Sequence, residues 1–178
     1  MLTRTTKPAP GNRLQDGFTL IEMVVVIIIL SMVTILVIPR LPSTAGSDLR
    51  TSARSLAAAI RYLGDLSVTA KVPHRLHFNL TDGTIAITRK NADGEDVPPE
   101  DTFLGRHFLA DGVTVEDVEL QRLGKVSSGE VAVDFGAGGL EEYVSIHLHG
   151  SGGGRFTVDA FPRSGKVKVY EGYRETSS

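Results

Sequence analysis

The feature that most limits what this chain can fold into is an apolar run close to its start. Of the 21 residues from Phe18 to Ile38, 17 are apolar, and only Thr19, Glu22, Ser31 and Thr34 interrupt them. As a helix rising 1.5 Å per residue the run is roughly 30 Å long, the thickness of a bilayer hydrocarbon core, and it predicts a transmembrane helix over 18–38. It is longer than the apolar region of an ordinary secretory signal, about 7 to 15 residues, although Ser43-Thr44-Ala45 offers a small-x-small site at which conventional cleavage would occur. Residues 1–17 are small, proline-containing and without periodicity, which reads as a flexible leader carrying Arg4, Lys7 and Arg13 against Asp16.

Glu22 is the informative residue of the run. An unpaired carboxylate inside a membrane segment costs about 2.5 to 3.5 kcal/mol on insertion scales, so it needs a partner or a function. The run holds no cation, and the nearest one upstream is Arg13. A carboxylate snorkelling to the interface of a lone anchor is one reading. The other is a partner supplied by another molecule.

Gly17-Phe18-Thr19-Leu20-Ile21-Glu22, after a short basic leader and before a long apolar helix, resembles the class III signal of type IV pilins and type II secretion pseudopilins. The resemblance implies that a prepilin peptidase cuts between Gly17 and Phe18 and methylates the new amine of Phe18, giving N-methylphenylalanine. Cleavage then leaves the helix on the mature protein, and Pro39 falls where family members often kink. In a bundle of staggered subunits the Phe18 amine of one chain can face Glu22 of its neighbour. Such a pair adds little net stability after desolvation, but a wrong register leaves a charge bare in hydrocarbon, so Phe18 and Glu22 would set register. Arg40, Arg50 and Arg54 beyond the helix make the loop-charge rule indecisive. The motif places the N-terminus in the cytoplasm and the following domain in the periplasm, anchored in the inner membrane by a single pass.

Beyond Pro39, residues 39–47 break the helical pattern and predict a kink or linker, with residues 48–178 as the periplasmic domain. From Asp48 to Ala70, the positions Leu49, Ala53, Leu56, Ile60, Leu63 and Ala70 recur at spacings of three and four, which predicts an amphipathic helix over 48–70 capped by Ser47 or Asp48. Period-two alternation then takes over across 74–170. Strands are expected at 74–80 and 85–88 around a Thr81-Asp82-Gly83-Thr84 turn, then at 113–120, 131–135 and 143–149. A closing hairpin of 155–161 and 166–170 turns across Pro162-Arg163-Ser164-Gly165. One helix followed by many strands is α+β. With the Ala-rich helix at 53–59, this layout resembles the GspH/FimT group of minor pseudopilins and minor pilins, whose fold is a long N-terminal helix, transmembrane and then amphipathic, packed on an antiparallel β-sheet domain.

The function this resemblance implies is structural. The chain would be an H-type minor pseudopilin of the type II secretion pseudopilus, working by assembly in protein export across the outer membrane and having no enzymatic activity. Its partners would be other major and minor pseudopilins, the prepilin peptidase, the inner-membrane assembly platform and secreted cargo. The alternative is a FimT-like type IV minor pilin that binds DNA during uptake through Arg155, Arg163, Lys166, Lys168 and Arg174, opposed only by Asp159 and Glu171. Against it stands the stretch Asn91–Glu119, whose nine acids and single Arg106 give about −8. The formal net charge of −2 would become −4 once a leader with three basic residues and one acid is removed.

Other chemistries find little to build on. The absence of cysteine removes thiolate metal sites, disulfides and thiol nucleophiles. Aromatics are 6% of residues with no Trp, unfavourable for a base-stacking platform. Asn91, Asp93, Glu95 and Asp96 do not reproduce the spacing of a helix-loop-helix calcium loop, and the acidic stretch reads first as a solvated face. His147 and His149 share a strand face without an identifiable third ligand and read as exposed. Gly150–Arg155 lacks the Lys-Ser/Thr ending of a phosphate loop and predicts a hairpin turn. No cofactor or metal is expected. A membrane-anchored enzyme or binding module would need a defined pocket with converging polar groups.

Overall fold

A computed structural model describes residues 19–37 and 44–175, with side chains described over 19–34 and 46–175. Gly17, Phe18, Pro39 and most of the expected linker lie outside the described residues. The chain divides into two units, one ending at Leu41 and one beginning at Pro42.

In the first unit, α1 runs Leu20–Val37. Its side chains are apolar on every side of the helix, and those of residues 19–34 are exposed. Among the described residues no helix is long and apolar enough to cross a membrane. As described, α1 has 18 residues, about 27 Å, shorter than the 21-residue run from which a crossing is expected.

The second unit holds the entire hydrophobic core among the described residues. Its helix α2 runs Thr44–Ala70, beginning four residues before the expected Asp48. Ser47 and Asp48 therefore lie inside the first turns rather than capping them. Nothing in Ala45-Gly46-Ser47 forbids helix, none of the three being proline. The expected stripe is the buried one: Leu49, Ala53, Leu56, Ile60 and Leu63 are each at most 2% exposed, whereas Ala70, at the helix end, is exposed. Lys71 follows at φ 59°, a left-handed residue closing the helix, its N–H donating to Ser67 O at 3.1 Å.

Ten strands follow among the described residues: β1 His74–Asn79, β2 Thr84–Lys90, β3 Asp96–Val97, β4 Val113–Leu120, β5 Gly124–Val126, β6 Glu130–Gly136, β7 Gly139–Leu140, β8 Val144–Gly150, β9 Arg155–Ala160 and β10 Val167–Glu171. They form two antiparallel five-stranded sheets, ordered β3-β2-β1-β6-β7 and β10-β9-β8-β4-β5. Both expected hairpins form, β1 with β2 and β9 with β10. The short strands β3, β5 and β7 were not expected, because two or three residues carry no readable alternation; each pairs with one neighbour and forms a sheet edge. Helix α2 packs on strands of both sheets. The acidic stretch is not all solvated, because Leu104 and Phe108 in it are buried and Ala110 N–H donates to the buried Ser52 Oγ of α2 at 2.9 Å.

Two details set the register. In β4, Val113 and Val115 share odd positions while Val118 and Leu120 share even ones, yet all four are buried. A register irregularity between Val115 and Asp117 reconciles them: Glu116 is bulged out, returning Val118 to the core and turning Asp117 to the opposite face. The turn between β8 and β9 is glycine-rich because α2 lies against it. A Cβ on Gly150 or Gly154 would stand 3.2 Å from Leu49 Cδ2.

Candidate assembly helix and polar sites of the β domain

Glu22 sits in the first turn of α1. Thr19 caps that turn, its Oγ1 accepting from Glu22 N at 3.3 Å and its carbonyl from Glu22 N and Met23 N. Thr19-x-x-Glu22 thus has the spacing of a capping box, and the carboxylate stands near the positive end of the helix dipole. The acid therefore helps start the helix as well as being available to a cation. Among the described residues its side chain is exposed and has no ion-pair partner.

The five C-terminal cations do not form one surface. Arg155 is bound to Glu116 through Nε at 2.7 Å and a second N–H at 3.0 Å. This doubly bonded pair holds the guanidinium above the ordinary arginine range. Arg174 lies 4.0 Å from the Tyr170 ring, and Lys168, opposite Asp159 on β9, lies 5.7 Å from the Phe161 ring. Arg163 and Lys166 stand at the β9–β10 turn, the far end of β9 from Arg155 and about 20 Å from it at 3.3 Å per strand residue. The run is contiguous in sequence but split between two ends of a hairpin.

A site that sequence reasoning missed lies on the second face of β8. The expectation that His147 is exposed is overturned: it is 1% exposed, on the central strand of its sheet, where β8 is buried on both faces. Register places Asp117, His147 and Thr157 side by side on β4, β8 and β9. His147 Nδ1 meets Asp117 Oδ1 at 2.6 Å, and its Nε2 meets the carbonyl of Arg174 at 2.8 Å. A carboxylate and a carbonyl accept only, so both contacts together need a hydrogen on each ring nitrogen, or one shared with the carboxyl. Tyr173 stacks on the imidazole at 3.9 Å between centroids and donates to Asp117 Oδ2 at 3.1 Å. Burial pushes the Tyr173 phenol up. Hydrogen bonding to Tyr173, with help from Asp117, holds the Lys125 ammonium above the usual lysine range. Thr157 Oγ1 donates to Gly172 O and accepts from Arg174 N, so residues 172–174 are strapped over the sheet. The side chains of Asp117, Lys125, His147, Thr157 and Tyr173 line none of the described cavities, and the cluster reads as a fastening of the C-terminus.

The weak metal candidates are used internally. Asn91 Oδ1 accepts from Asp93 N and Glu95 N, and Asp96 pairs with Lys90 at 3.0 Å and Arg75 at 3.7 Å. Its hydrogen bond with Lys90, aided by Arg75, holds the Asp96 carboxyl below the ordinary range. Among the described residues no group of three or more His, Asp or Glu has the arrangement of a metal site.

Residues 12–38 match the family model of the prokaryotic N-terminal methylation motif. No curated protein matches the chain. Among solved structures, the minor pseudopilin EpsH from the type 2 secretion system of Vibrio cholerae is similar with a TM-score of 0.54 at 15% identity, over 70% of this chain and 97% of that one. The type IV minor pilin FimU of Pseudomonas aeruginosa gives a TM-score of 0.48 at 16% identity, over 72% and 92%. By its N-terminal motif and its α+β fold, an N-terminal helix with antiparallel sheets, the chain is type IV pilin-like.

Proposed function

We propose that this protein is a minor pseudopilin, a structural subunit assembling through its N-terminal helix into a periplasmic type II secretion pseudopilus, with no catalytic role. The observation that carries the reading is the methylation motif, which takes in a helix that is apolar on all sides, exposed over residues 20–34, and holds one carboxylate without a cation. Such a helix needs a non-aqueous environment, first lipid and then the helices of neighbouring subunits. Cleavage between Gly17 and Phe18 creates the amine that Glu22 lacks, and a neighbouring copy brings it within reach. Pro39 would let the helix bend where the β domain begins. The prepilin peptidase and other pilin-like subunits are the partners this requires. An inner-membrane platform, secreted cargo and a periplasmic location for residues 48–178 follow from the same reading. The alternative, DNA binding during uptake, loses support from the separation of Arg155 and Arg174 from Arg163 and Lys166.

Intact mass and N-terminal sequencing of protein from membranes, with and without a prepilin peptidase, test the proposal. A start at methylated Phe18 only with the peptidase is the expected result, accompanied by recovery in a filament fraction released from the periplasm that Glu22→Ala abolishes. A start near Gly46, or an intact Met1 in both strains, would overturn it. A salt-sensitive DNA shift lost in Arg163→Ala/Lys166→Ala would favour the uptake reading.

A further inference from the structure

A strand in an antiparallel sheet turns the backbone groups of successive residues to opposite sides. For β10 the register on β9 runs from Val167 opposite Ala160 to Glu171 opposite Phe156. Beyond its two ends, Phe161 N–H donates to Lys166 O at 2.9 Å and Gly172 N–H to Arg155 O at 2.8 Å. Lys166, Lys168, Tyr170 and Gly172 therefore face β9, and the N–H and C=O of Val167, Val169 and Glu171 point away from it. β10 is the outer strand of its sheet, so no further strand receives them. Arg61 of α2 caps one, donating to Val167 O at 2.6 Å. Those of Val169 and Glu171 have no hydrogen-bond partner among the described residues.

The other three sheet edges are closed to recruitment by their length. β3 and β7 have two residues each and β5 has three, and a very short edge strand offers too little ladder to pair with. β10 has five residues, no proline and no bulge in its pairing.

Charge selects what this edge can accept. Arg54 and Arg61 are seven residues apart on α2 and so lie within about 20° on one side of the helix. That side meets β10, with Arg61 at Val167 and Arg50 pairing with Glu171 at 3.3 Å. Arg163 and Lys166 stand at one end of the strand and share with Arg61 a groove of about 240 Å³, while Lys168 projects from the strand itself. Arg54, Arg61, Arg163, Lys166 and Lys168 are exposed and, among the described residues, have no ion-pair partner. Two acids oppose these five: Asp65, which lines the same groove, and Asp159, which accepts from Ser145 Oγ at 2.8 Å. The edge therefore carries a surplus of about three positive charges.

We propose that β10 takes an extended acidic segment of a different polypeptide as an added strand. Its backbone bonds Val169 and Glu171, and its carboxylates meet Arg54, Lys166 and Lys168. No strand of this chain supplies the segment: the acidic β4 lies inside its sheet, β3 is two residues long, and two β10 edges would set cations against cations. Nucleic acid matches the charge but cannot complete a ladder of alternating donors and acceptors. The edge belongs to the β domain, so the inference stands whether or not the chain enters a filament.

Full-length protein in a neutral detergent is titrated with a capped, fluorescein-labelled heptapeptide alternating glutamate with valine, and binding is read by anisotropy. Saturable binding is expected. N-methylation of one alternate set of peptide residues, and not of the other, should weaken it at least tenfold, because only one set turns its N–H to the edge. Arg54→Glu/Lys166→Glu, both changes at exposed positions, should weaken it by a similar factor. Bound peptide should also slow hydrogen exchange at Val169 and Glu171 N–H at least tenfold and leave Lys168 and Tyr170, already in the ladder, unchanged. Absence of binding, equal affinity of the two methylated peptides, or unslowed exchange at Val169 and Glu171 would overturn the added strand. Tighter binding of an oligothymidylate of equal charge would also overturn it and reassign the edge to nucleic acid.

Discussion

Replacing Asp117 by Ala removes the acceptor of a buried imidazole and of a phenol in one step. Asp117 and His147 are each 1% exposed, and the lost contacts are His147 Nδ1 at 2.6 Å and Tyr173 O–H at 3.1 Å. Leaving a buried imidazole and a phenol without their shared acceptor costs about 1 to 3 kcal/mol for each group. The half-exposed Lys125, 3.5 Å from the same carboxylate, adds little to this, because its ammonium is hydrated when the contact is gone. A loss near 4 kcal/mol is a large share of the roughly 5 to 15 kcal/mol that holds a domain folded. Urea unfolding of residues 44–178, which contain the core, can be followed by circular dichroism since the chain has no Trp. Asp117→Ala and His147→Ala together should cost much less than the sum of the single changes, with a coupling above about 1.5 kcal/mol. Carboxypeptidase should also reach Arg174 sooner in either variant, because the strap over His147 is loosened. A loss below about 1 kcal/mol, or additivity of the two changes, would refute the reasoning.

Other perturbations check other links. Leu56→Ala empties a site that is 0% exposed beneath α2 and should cost about 2 to 5 kcal/mol by the same unfolding assay. Gly150→Ala forces a methyl to within 3.2 Å of Leu49 Cδ2 and should cost about 1 to 3 kcal/mol, whereas Gly138→Ala, with nothing within 4 Å, should stay within about 0.5 kcal/mol. Burial lowers the His74 pKa below its ordinary 6.5, with Ser67 Oγ at 3.0 Å from Nδ1. The unfolded chain then binds the extra proton first, so stability is full above about pH 6.5 and falls as pH drops through the lowered folded value. Urea midpoints measured from pH 7.5 to 5 should decline more in the parent than in His74→Gln, and parallel declines would contradict this.

How much could be read without coordinates depended on whether the signal was local. The stripe Leu49, Ala53, Leu56, Ile60, Leu63 needs only the period of a helix, and the two hairpins need only alternation around Gly83 and Gly165. The bulge at Glu116 was also written locally, in the phase change from Val113 and Val115 to Val118 and Leu120, but only pairing with β8 shows which way Asp117 turns. His147 was misjudged because exposure belongs to a sheet and what covers it, not to a strand.

The amino-acid sequence by itself determined the N-terminal motif at Gly17 to Glu22, the apolar helix, the amphipathic helix and the α+β class, because each rests on neighbours along the chain. Tertiary structure alone decided that the strands divide into two sheets, that Asp117, His147 and Tyr173 meet, that five consecutive cations separate, and that Arg61, Arg163 and Lys166 share one groove. Those outcomes depend on strand order and register, and contacts between residues dozens of positions apart leave no periodic trace in the chain that makes them.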